Sequence, residues 1–335
     1  MTGLSTAAAG VAFPVAAAVA LRASFVLVLR LERLASRWRL SEAMLGVVVA
    51  LAADTPEITS AVTASAHGQG AISAGVVLGS NAFNLAALLG LGALVASRIR
   101  LHRRVVLFEG TTGTWVAVVT LVVVLTRLAP GLGLVLVLGV VGPYLLISAS
   151  STEKLRRRGV PPRMARWLGR AVTEEEQELT PGIHLAAPGR LDGLVAAVSV
   201  AAVVAASIAM ERAAEKLGHH FGLSELVIGG VVLAAVTSLP NAVGAVYLSA
   251  RGRGAAVLSE AMNSNMINVV VGLLLPAIFF GLGAAGGDGR LVAFWYAALT
   301  IVSLTLAFAG KGLSRLAGTI IVASYAVFVL VAISR

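Results

Sequence analysis

Ten apolar stretches, each of about 20 residues, follow one another along this chain. Inside a lipid bilayer every backbone N–H and C=O group must find its hydrogen-bond partner within the protein, so stretches of this kind are helical. The sequence therefore predicts an all-α polytopic membrane protein with ten transmembrane helices. We place the spans at about 6–30, 42–66, 71–97, 105–127, 130–150, 190–214, 224–250, 255–282, 290–310 and 314–333.

Composition excludes an ordinary soluble domain. The 335 residues are 58% hydrophobic and 13% charged, with a mean hydropathy of +0.92. The net charge of +10 does not indicate a nucleic-acid partner, because the basic residues lie in short connections rather than in a patch with exposed aromatic side chains. Cysteine is absent from the sequence, which excludes disulfides and thiolate metal sites. The first charged side chain is Arg22, so the first apolar stretch is expected to be a membrane span rather than a cleaved signal.

The basic residues predict an orientation. With these spans, 20 of the 26 Lys and Arg residues lie in or beside the connections on one side, namely 31–41, 98–104, 151–189, 251–254 and 311–313. Short loops rich in Lys and Arg stay in the cytoplasm. We therefore expect a multi-pass protein of the cell inner or plasma membrane with both termini outside and the 151–189 loop cytoplasmic.

A segment of the chain is duplicated at a fixed offset of 184 residues. Over 56–84 against 240–268, 11 of 29 positions are identical without a gap. Five predicted spans separate the copies, and because five is odd the copies enter the membrane from opposite faces, as in the inverted repeats of secondary transporters. The predicted organisation is a first repeat at 1–150, a charged linker at 151–189 and a second repeat at 190–335.

The linker carries basic residues, then a run of glutamates, and three prolines. At about 40 residues it is short for a separate domain. We expect a solvated connector or a short amphipathic segment that also contacts anionic membrane lipids. No obligate protein partner is evident in the sequence.

Polar residues interrupt the second and seventh predicted spans. Pro56 and Pro240 each remove a backbone donor and free carbonyl groups near 52–53 and 236–237, which are potential cation ligands. Glu57 follows the first proline and Asp54 lies three residues before Glu57. Carboxylates inside a membrane are costly, and hard cations such as Ca²⁺ or Na⁺ are their natural partners. A simple helix kink is the alternative, but a kink requires no neighbouring acids.

The third and eighth spans add Ser80 with Asn84 and Ser264 with Asn268, each pair four residues apart on one helix face. Such residues also join transmembrane helices by hydrogen bonds. Their recurrence in both copies favours an ion site. The repeated glycines at 68, 70, 252 and 254 indicate tight turns between the paired helices.

Taken together, these motifs resemble the sodium/calcium exchanger family of the cation/Ca²⁺ antiporter superfamily. The resemblance covers about 41–92 and 222–276 and rests on Pro56-Glu57, on 79–84 (GSNAFN), on 237–241 (TSLPN) and on the lead-in 222–229. It implies a ten-helix antiporter that exchanges Ca²⁺ or a related cation for Na⁺ or H⁺ by alternating access, without a cofactor. The ion ligands that it implies are Glu57, Ser80, Asn84, Thr237, Ser238, Ser264 and Asn268.

The chain departs from the family pattern at several positions. Asn241 stands where the family has a second glutamate beside proline, and Asp54 stands where a hydroxyl is usual. If 40–42 matches 223–225, the run from Gly46 to Pro56 is one residue shorter than its counterpart, so the register of Asp54 is open. Glu260, whose counterpart in the first repeat is Val76, is a candidate replacement for the missing carboxylate. The alternative is that Glu260 is a hydrated residue near the helix end beside Arg251 and Arg253.

The sequence leaves three hypotheses of function open. Two or more carboxylates at the site favour Ca²⁺, whereas one favours a monovalent cation/proton antiporter. A membrane scaffold or sensor of the same fold that no longer transports ions is the third hypothesis. An intramembrane enzyme is not expected, because His219 and His220 fall in a predicted outer loop without a third metal ligand.

Overall fold

The computed structural model describes residues 5–37, 50–126, 128–179, 189, 191–282 and 287–335. Almost all of them are helical, as the apolar pattern predicts. The helices are α1 (Thr6–Arg37), α2 (Thr55–Ala66), α3 (Gly70–Val95), α4 (Arg103–Thr126), α5 (Pro130–Ser148), α6 (Thr152–Arg157), α7 (Pro162–Leu179), α8 (Asp192–Phe221), α9 (Glu225–Thr237), α10 (Leu239–Ala250), α11 (Gly254–Phe280), α12 (Gly287–Ala309) and α13 (Arg315–Ile333).

Nine membrane spans can be assigned within the described residues. Eight are single helices long and apolar enough to cross a bilayer, and the ninth is the pair α9 and α10, bent by 48° at Ser238. Residues 50–53 and α2 occupy the place of the second predicted span, and its first part at 42–49 lies outside the described residues. The proposed match of 40–42 to 223–225 lies outside them as well.

The two repeats have the same local structure at equivalent positions. The turn between α2 and α3 contains Gly68 with φ of +78°, and the turn between α10 and α11 contains Gly252 with φ of +75°. Glycine adopts this left-handed conformation without steric cost. Both α3 and α11 widen into a π-helical stretch directly after the motif, at Leu85–Leu91 and Asn268–Leu274. Such stretches often mark functional positions in helices.

Several predicted basic connections meet at one end of the bundle. A short antiparallel pair, β1 (Arg98–Arg100) and β2 (Gly312–Ser314), joins the connection after α3 to the connection before α13. Gly254 packs against the backbone of Arg100, which brings the 251–254 turn to the same place. We call this end, formed by 98–102, 251–254 and 310–314, the basic end. The compartment that it faces stays a prediction.

The connections contain one feature that the sequence did not predict and one that agrees with the expected amphipathic segment. The all-α prediction does not include the strand pair, because three-residue strands between helices leave no periodic signal in the sequence. The 151–189 segment contains α6 and α7, and α7 is amphipathic: Ala165, Leu168 and Ala171 are buried where α7 packs on α4 and α11.

The first helices of the two repeats, α1 and α8, pack along each other over much of their length. At one end the guanidinium of Arg30 lies 2.7 Å from the carboxylate of buried Asp192, and Arg33 lies 3.9 Å from the same oxygen. This ion pair therefore links the two halves of the chain next to the linker.

Candidate ion site

Two broken helices position the site. Asp54 precedes α2 and Ser238 precedes α10, each at the point where its span is interrupted. Their backbone conformations are nearly the same, with φ and ψ of −80° and −3° at Asp54 and −85° and 0° at Ser238. The structure thus makes Asp54 the counterpart of Ser238, which resolves the register left open by the sequence.

Glu57 is completely buried and both of its carboxylate oxygens accept hydrogen bonds from the second repeat. The Ser238 hydroxyl donates to Oε1 in a very short contact. The Asn268 side-chain amide donates to Oε2 at 3.0 Å. The Glu57 carboxylate is therefore held entirely by groups from the opposite repeat.

Asp54 is also completely buried and is held in the same way. Its Oδ1 accepts from the Asn241 amide at 2.7 Å and from the Ser264 hydroxyl at 2.8 Å. The carboxylates of Asp54 and Glu57 are close enough to interact electrostatically. Two carboxylates, both from the first repeat, therefore meet at the centre of the protein.

These contacts form two equivalent pairs across the repeats. Ser238 with Glu57 and Asp54 with Asn241 each join a residue at the helix break to the residue that follows proline in the other repeat. In the first pair the carboxylate stands beside proline, and in the second it stands at the break. The carboxylate missing at Asn241 is thus supplied by Asp54, on the opposite side of the same hydrogen bond.

The remaining predicted residues lie around these pairs. Asn84 donates to the Ser264 hydroxyl at 3.0 Å, and Asn241 lies 3.3 Å from the same hydroxyl. The hydroxyls of Ser80 and Thr237 both approach the Ala234 carbonyl, at 3.4 and 3.3 Å, and Thr237 also bonds Leu233. These two hydroxyl protons are directed at the backbone.

Asn81 and Asn265 are identical in the two repeats but are not among the predicted site residues. The Oδ1 of Asn81 accepts from Asn268 at 3.2 Å, and the Oδ1 of Asn265 accepts from Asn84 at 3.4 Å. Both side chains are buried. They support the amides that in turn contact Glu57 and Ser264.

The site has an excess of acceptor oxygens. Among the described residues, Asp54 Oδ2, Asn84 Oδ1 and Asn268 Oδ1 are enclosed and receive no hydrogen bond. The ion pairs of the described residues give neither Asp54 nor Glu57 a basic partner. Buried oxygens without donors beside buried carboxylates are the ligand chemistry of a hard cation.

One predicted source of ligands is already used by the protein. Pro56 frees the Ala52 carbonyl, as expected, but the Ser24 hydroxyl of α1 donates to it at 3.2 Å. In a dry interior a free carbonyl needs such a partner. The first helix therefore stabilises the break in the second span.

Glu260 lies on α11 one turn before Ser264, outside the hydrogen bonds described above. Its side chain is partly exposed, and its Oε2 is enclosed without a donor among the described residues. No three acidic or histidine side chains of the described part come together as one metal cluster. The replacement role suggested for Glu260 stays a prediction.

A further buried carboxylate, outside this site, was not predicted from the sequence. Glu109 on α4 is completely buried, and the Tyr144 hydroxyl lies 2.9 Å from both of its oxygens. Tyr144 also lies 3.0 Å from Asn263 Oδ1 on α11. The signal in the sequence was the position of Glu109 inside the fourth predicted span, because an acid within a membrane span is a candidate functional residue.

Two repeats whose broken helices meet around buried carboxylates and amides define a multi-pass membrane transporter. The sequence model of the sodium/calcium exchanger protein family matches residues 9–152 and 193–334. The chain therefore belongs to the sodium/calcium exchanger family.

Curated relatives are distant. The chain is 27% identical over 128 residues to sodium/potassium/calcium exchanger 2 of Gallus gallus, a match that covers 36% of this chain and 20% of that protein. It is 28% identical over 128 residues to the Homo sapiens form, covering 36% and 19%. The chain thus spans about a fifth of the length of these relatives.

Solved structures share the fold over nearly the whole chain. A structure of the sodium-calcium exchanger NCX_Mj matches with a TM-score of 0.62 and 20% identity, covering 97% of this chain and 99% of that one. The H⁺/Ca²⁺ exchanger CAX matches with a TM-score of 0.68 and 13% identity, covering 97% and 86%.

Proposed function

We propose that this protein is a secondary antiporter that exchanges Ca²⁺, or a related divalent cation, for Na⁺ or H⁺ at the site between α2 and α10. One observation carries the proposal. Two buried carboxylates, Asp54 and Glu57, meet beside enclosed amide oxygens that receive no hydrogen bond. Two negative charges in a dry site require about two positive charges for balance, which one divalent cation supplies.

The contacts between the repeats support alternating access as the mechanism. Each carboxylate belongs to the first repeat, whereas its hydrogen-bond donors come from the second. A movement of one repeat against the other breaks these bonds, and a bound cation compensates for them. The ion is then reached from one side of the membrane at a time.

A monovalent cation/proton antiporter is the second candidate. Asn241 favours it, because the amide occupies a place where the family resemblance expects an acid. The position of Asp54 opposite Asn241 argues against it, since Asp54 and Glu57 together give the site two carboxylates. A fold that has lost transport is the third candidate, and only a flux measurement distinguishes it.

The proposal is tested by radiolabelled Ca²⁺ and Na⁺ uptake into proteoliposomes under imposed Na⁺ and pH gradients. We expect gradient-driven Ca²⁺ uptake by the natural protein and a loss of about a hundredfold or more in Glu57→Gln, because removing one member of a buried charge pair costs roughly 2–5 kcal/mol. Glu153→Gln, at an exposed position on α6, is the matched control.

Each outcome assigns one function. Uptake of Na⁺ alone supports the monovalent antiporter, and no gradient-driven flux of either ion supports a scaffold. Ca²⁺ uptake that persists in Glu57→Gln contradicts the proposed site.

A further inference from the structure

We propose that Glu260 and Gly244 form a separate entry site for divalent cations on the basic-end side of the central site. The inference rests on the proposed function and adds a step to it. An incoming cation first binds the Glu260 carboxylate and then moves about one helical turn along α11 to Ser264 and Asp54.

The position of Glu260 is the first argument. It lies six residues after Gly254, where α11 begins at the basic end, and four residues before Ser264. At 1.5 Å per residue this is a depth of about 9 Å, with the central site about 6 Å further on. Ser264 donates directly to Asp54, so the stripe of α11 that carries Glu260 leads to the central carboxylates.

A comparison of the two repeats is the second argument. The equivalent positions are Val76 with Ser60 in the first repeat and Glu260 with Gly244 in the second. A side-chain carbon at Gly244 would lie only 3.3 Å from Glu260 Oε1. The second repeat thus has both the carboxylate and the space in front of it, whereas the first repeat has a buried valine.

The surroundings of Glu260 are the third argument. One carboxylate oxygen is enclosed without a donor among the described residues, yet the side chain is partly exposed, whereas Val76 is 0% exposed.

This asymmetry gives the entry site a direction. Buried Val76 closes this position in the first repeat, whereas the partly exposed Glu260 lies six residues from the start of α11, so the carboxylate is reached from the basic end. A carboxylate there concentrates divalent cations at one mouth of the path only. The prediction is an effect of Glu260 that depends on the side from which Ca²⁺ is added.

The test measures the KM for radiolabelled Ca²⁺ in sealed membrane vesicles of both orientations. In Glu260→Gln we expect KM to rise about tenfold when Ca²⁺ is added at the basic end and to change less than about twofold from the other side, a tenfold change being about 1.4 kcal/mol. The overall equilibrium of the exchange fixes the ratio between Vmax/KM measured from one side and Vmax/KM measured from the other. A fall in Vmax/KM from the basic end therefore requires an equal fall from the other side, where Vmax decreases because KM hardly changes.

A second variant separates this effect from misfolding. The double substitution Gly244→Ser with Glu260→Val introduces the residues that are buried at the equivalent positions of the first repeat, so we expect normal yield and thermal stability with the same one-sided rise in KM. Glu153→Gln, at an exposed position on α6, is the charge control.

The possible results are distinct. An equal rise in KM from both sides would place Glu260 within the central site, and an unchanged KM from both sides would make it a hydrated end residue. Either result overturns the entry site. If the natural protein carries no Ca²⁺ at all, the proposed function fails instead.

Discussion

Asn81 and Asn265, which are 184 residues apart, each donate the side-chain amide to the backbone carbonyl of the other, at 3.1 and 3.3 Å. Two residues at equivalent positions of the sequence repeat therefore contact each other reciprocally in the fold. A reciprocal contact of this kind lies on the pseudo-two-fold axis that relates the repeats. The axis passes between α3 and α11, next to the amides that hold Glu57 and Ser264.

This contact predicts matched effects on stability. Asn81→Ala and Asn265→Ala each remove two buried hydrogen bonds, one donated to the carbonyl of the other asparagine and one accepted from the Asn268 or Asn84 amide, which costs roughly 1–3 kcal/mol. We expect both variants to lower the midpoint of thermal unfolding in detergent by similar amounts. Thr111→Ala, which removes only a bond within α4, is the control. A midpoint unchanged in both asparagine variants would contradict the contact.

Asp54 carries the carboxylate that the family pattern places at position 241, and this predicts that a double substitution at the two positions restores Ca²⁺ uptake. Asp54→Ser alone leaves one carboxylate at the site, and Asn241→Glu alone adds a third acid directly against Asp54, so we expect each to lower Ca²⁺ uptake by about a hundredfold. The double substitution restores a serine opposite a glutamate, as in Ser238 and Glu57. We expect its uptake to return to within about tenfold of the natural protein.

The rescue is measured as Ca²⁺ uptake into proteoliposomes at equal protein content. A double variant no better than the single ones would mean that Asp54 and Asn241 do not act as one pair. Thermal unfolding of all three variants shows whether a loss of uptake reflects the site or the fold.

The sequence predicted most of the residues that meet at this site but not their arrangement. Ser80, Asn84, Ser264 and Asn268 were found because the duplication repeats them at one offset. The sequence placed Asp54 near Glu57 and at the position where a hydroxyl is usual, but it did not pair Asp54 with Asn241, which lies 187 residues away. A contact between two side chains at a helix break has no periodic signal.

The same reason explains why the cluster around Glu109 was missed. Its partner Tyr144 comes from α5, and Asn263 comes from α11, so no spacing in the chain connects the three residues. The ten apolar spans were predictable because lipid contact makes their sequence simple. Interior polar contacts between distant helices depend on packing that the apolar pattern does not encode.

The Glu109 cluster predicts a structural effect without a change in ion affinity. Tyr144→Phe removes the hydroxyl that donates to a buried carboxylate, at a cost of roughly 1–3 kcal/mol. Glu109→Gln disturbs the same bond, so the double variant is expected to lose less stability than the sum of the two. Thermal unfolding measures both effects. A changed KM for Ca²⁺ in Tyr144→Phe would instead assign the cluster to the transport path.

The bond from Ser24 to the Ala52 carbonyl predicts that a helix break needs support from its neighbour. Pro56 cannot donate to Ala52, so Ser24→Ala leaves a carbonyl in the protein interior without a partner, at a cost of roughly 1–3 kcal/mol. Ser303 on α12 is the matched control, because it is equally buried and its hydroxyl has no partner among the described residues. Ser303→Ala removes an unsatisfied group and is expected to be neutral or stabilising. A lower midpoint of thermal unfolding in Ser24→Ala, with no decrease in Ser303→Ala, therefore measures the contribution of this bond, and equal midpoints in the two variants would show that the freed carbonyl is satisfied in another way.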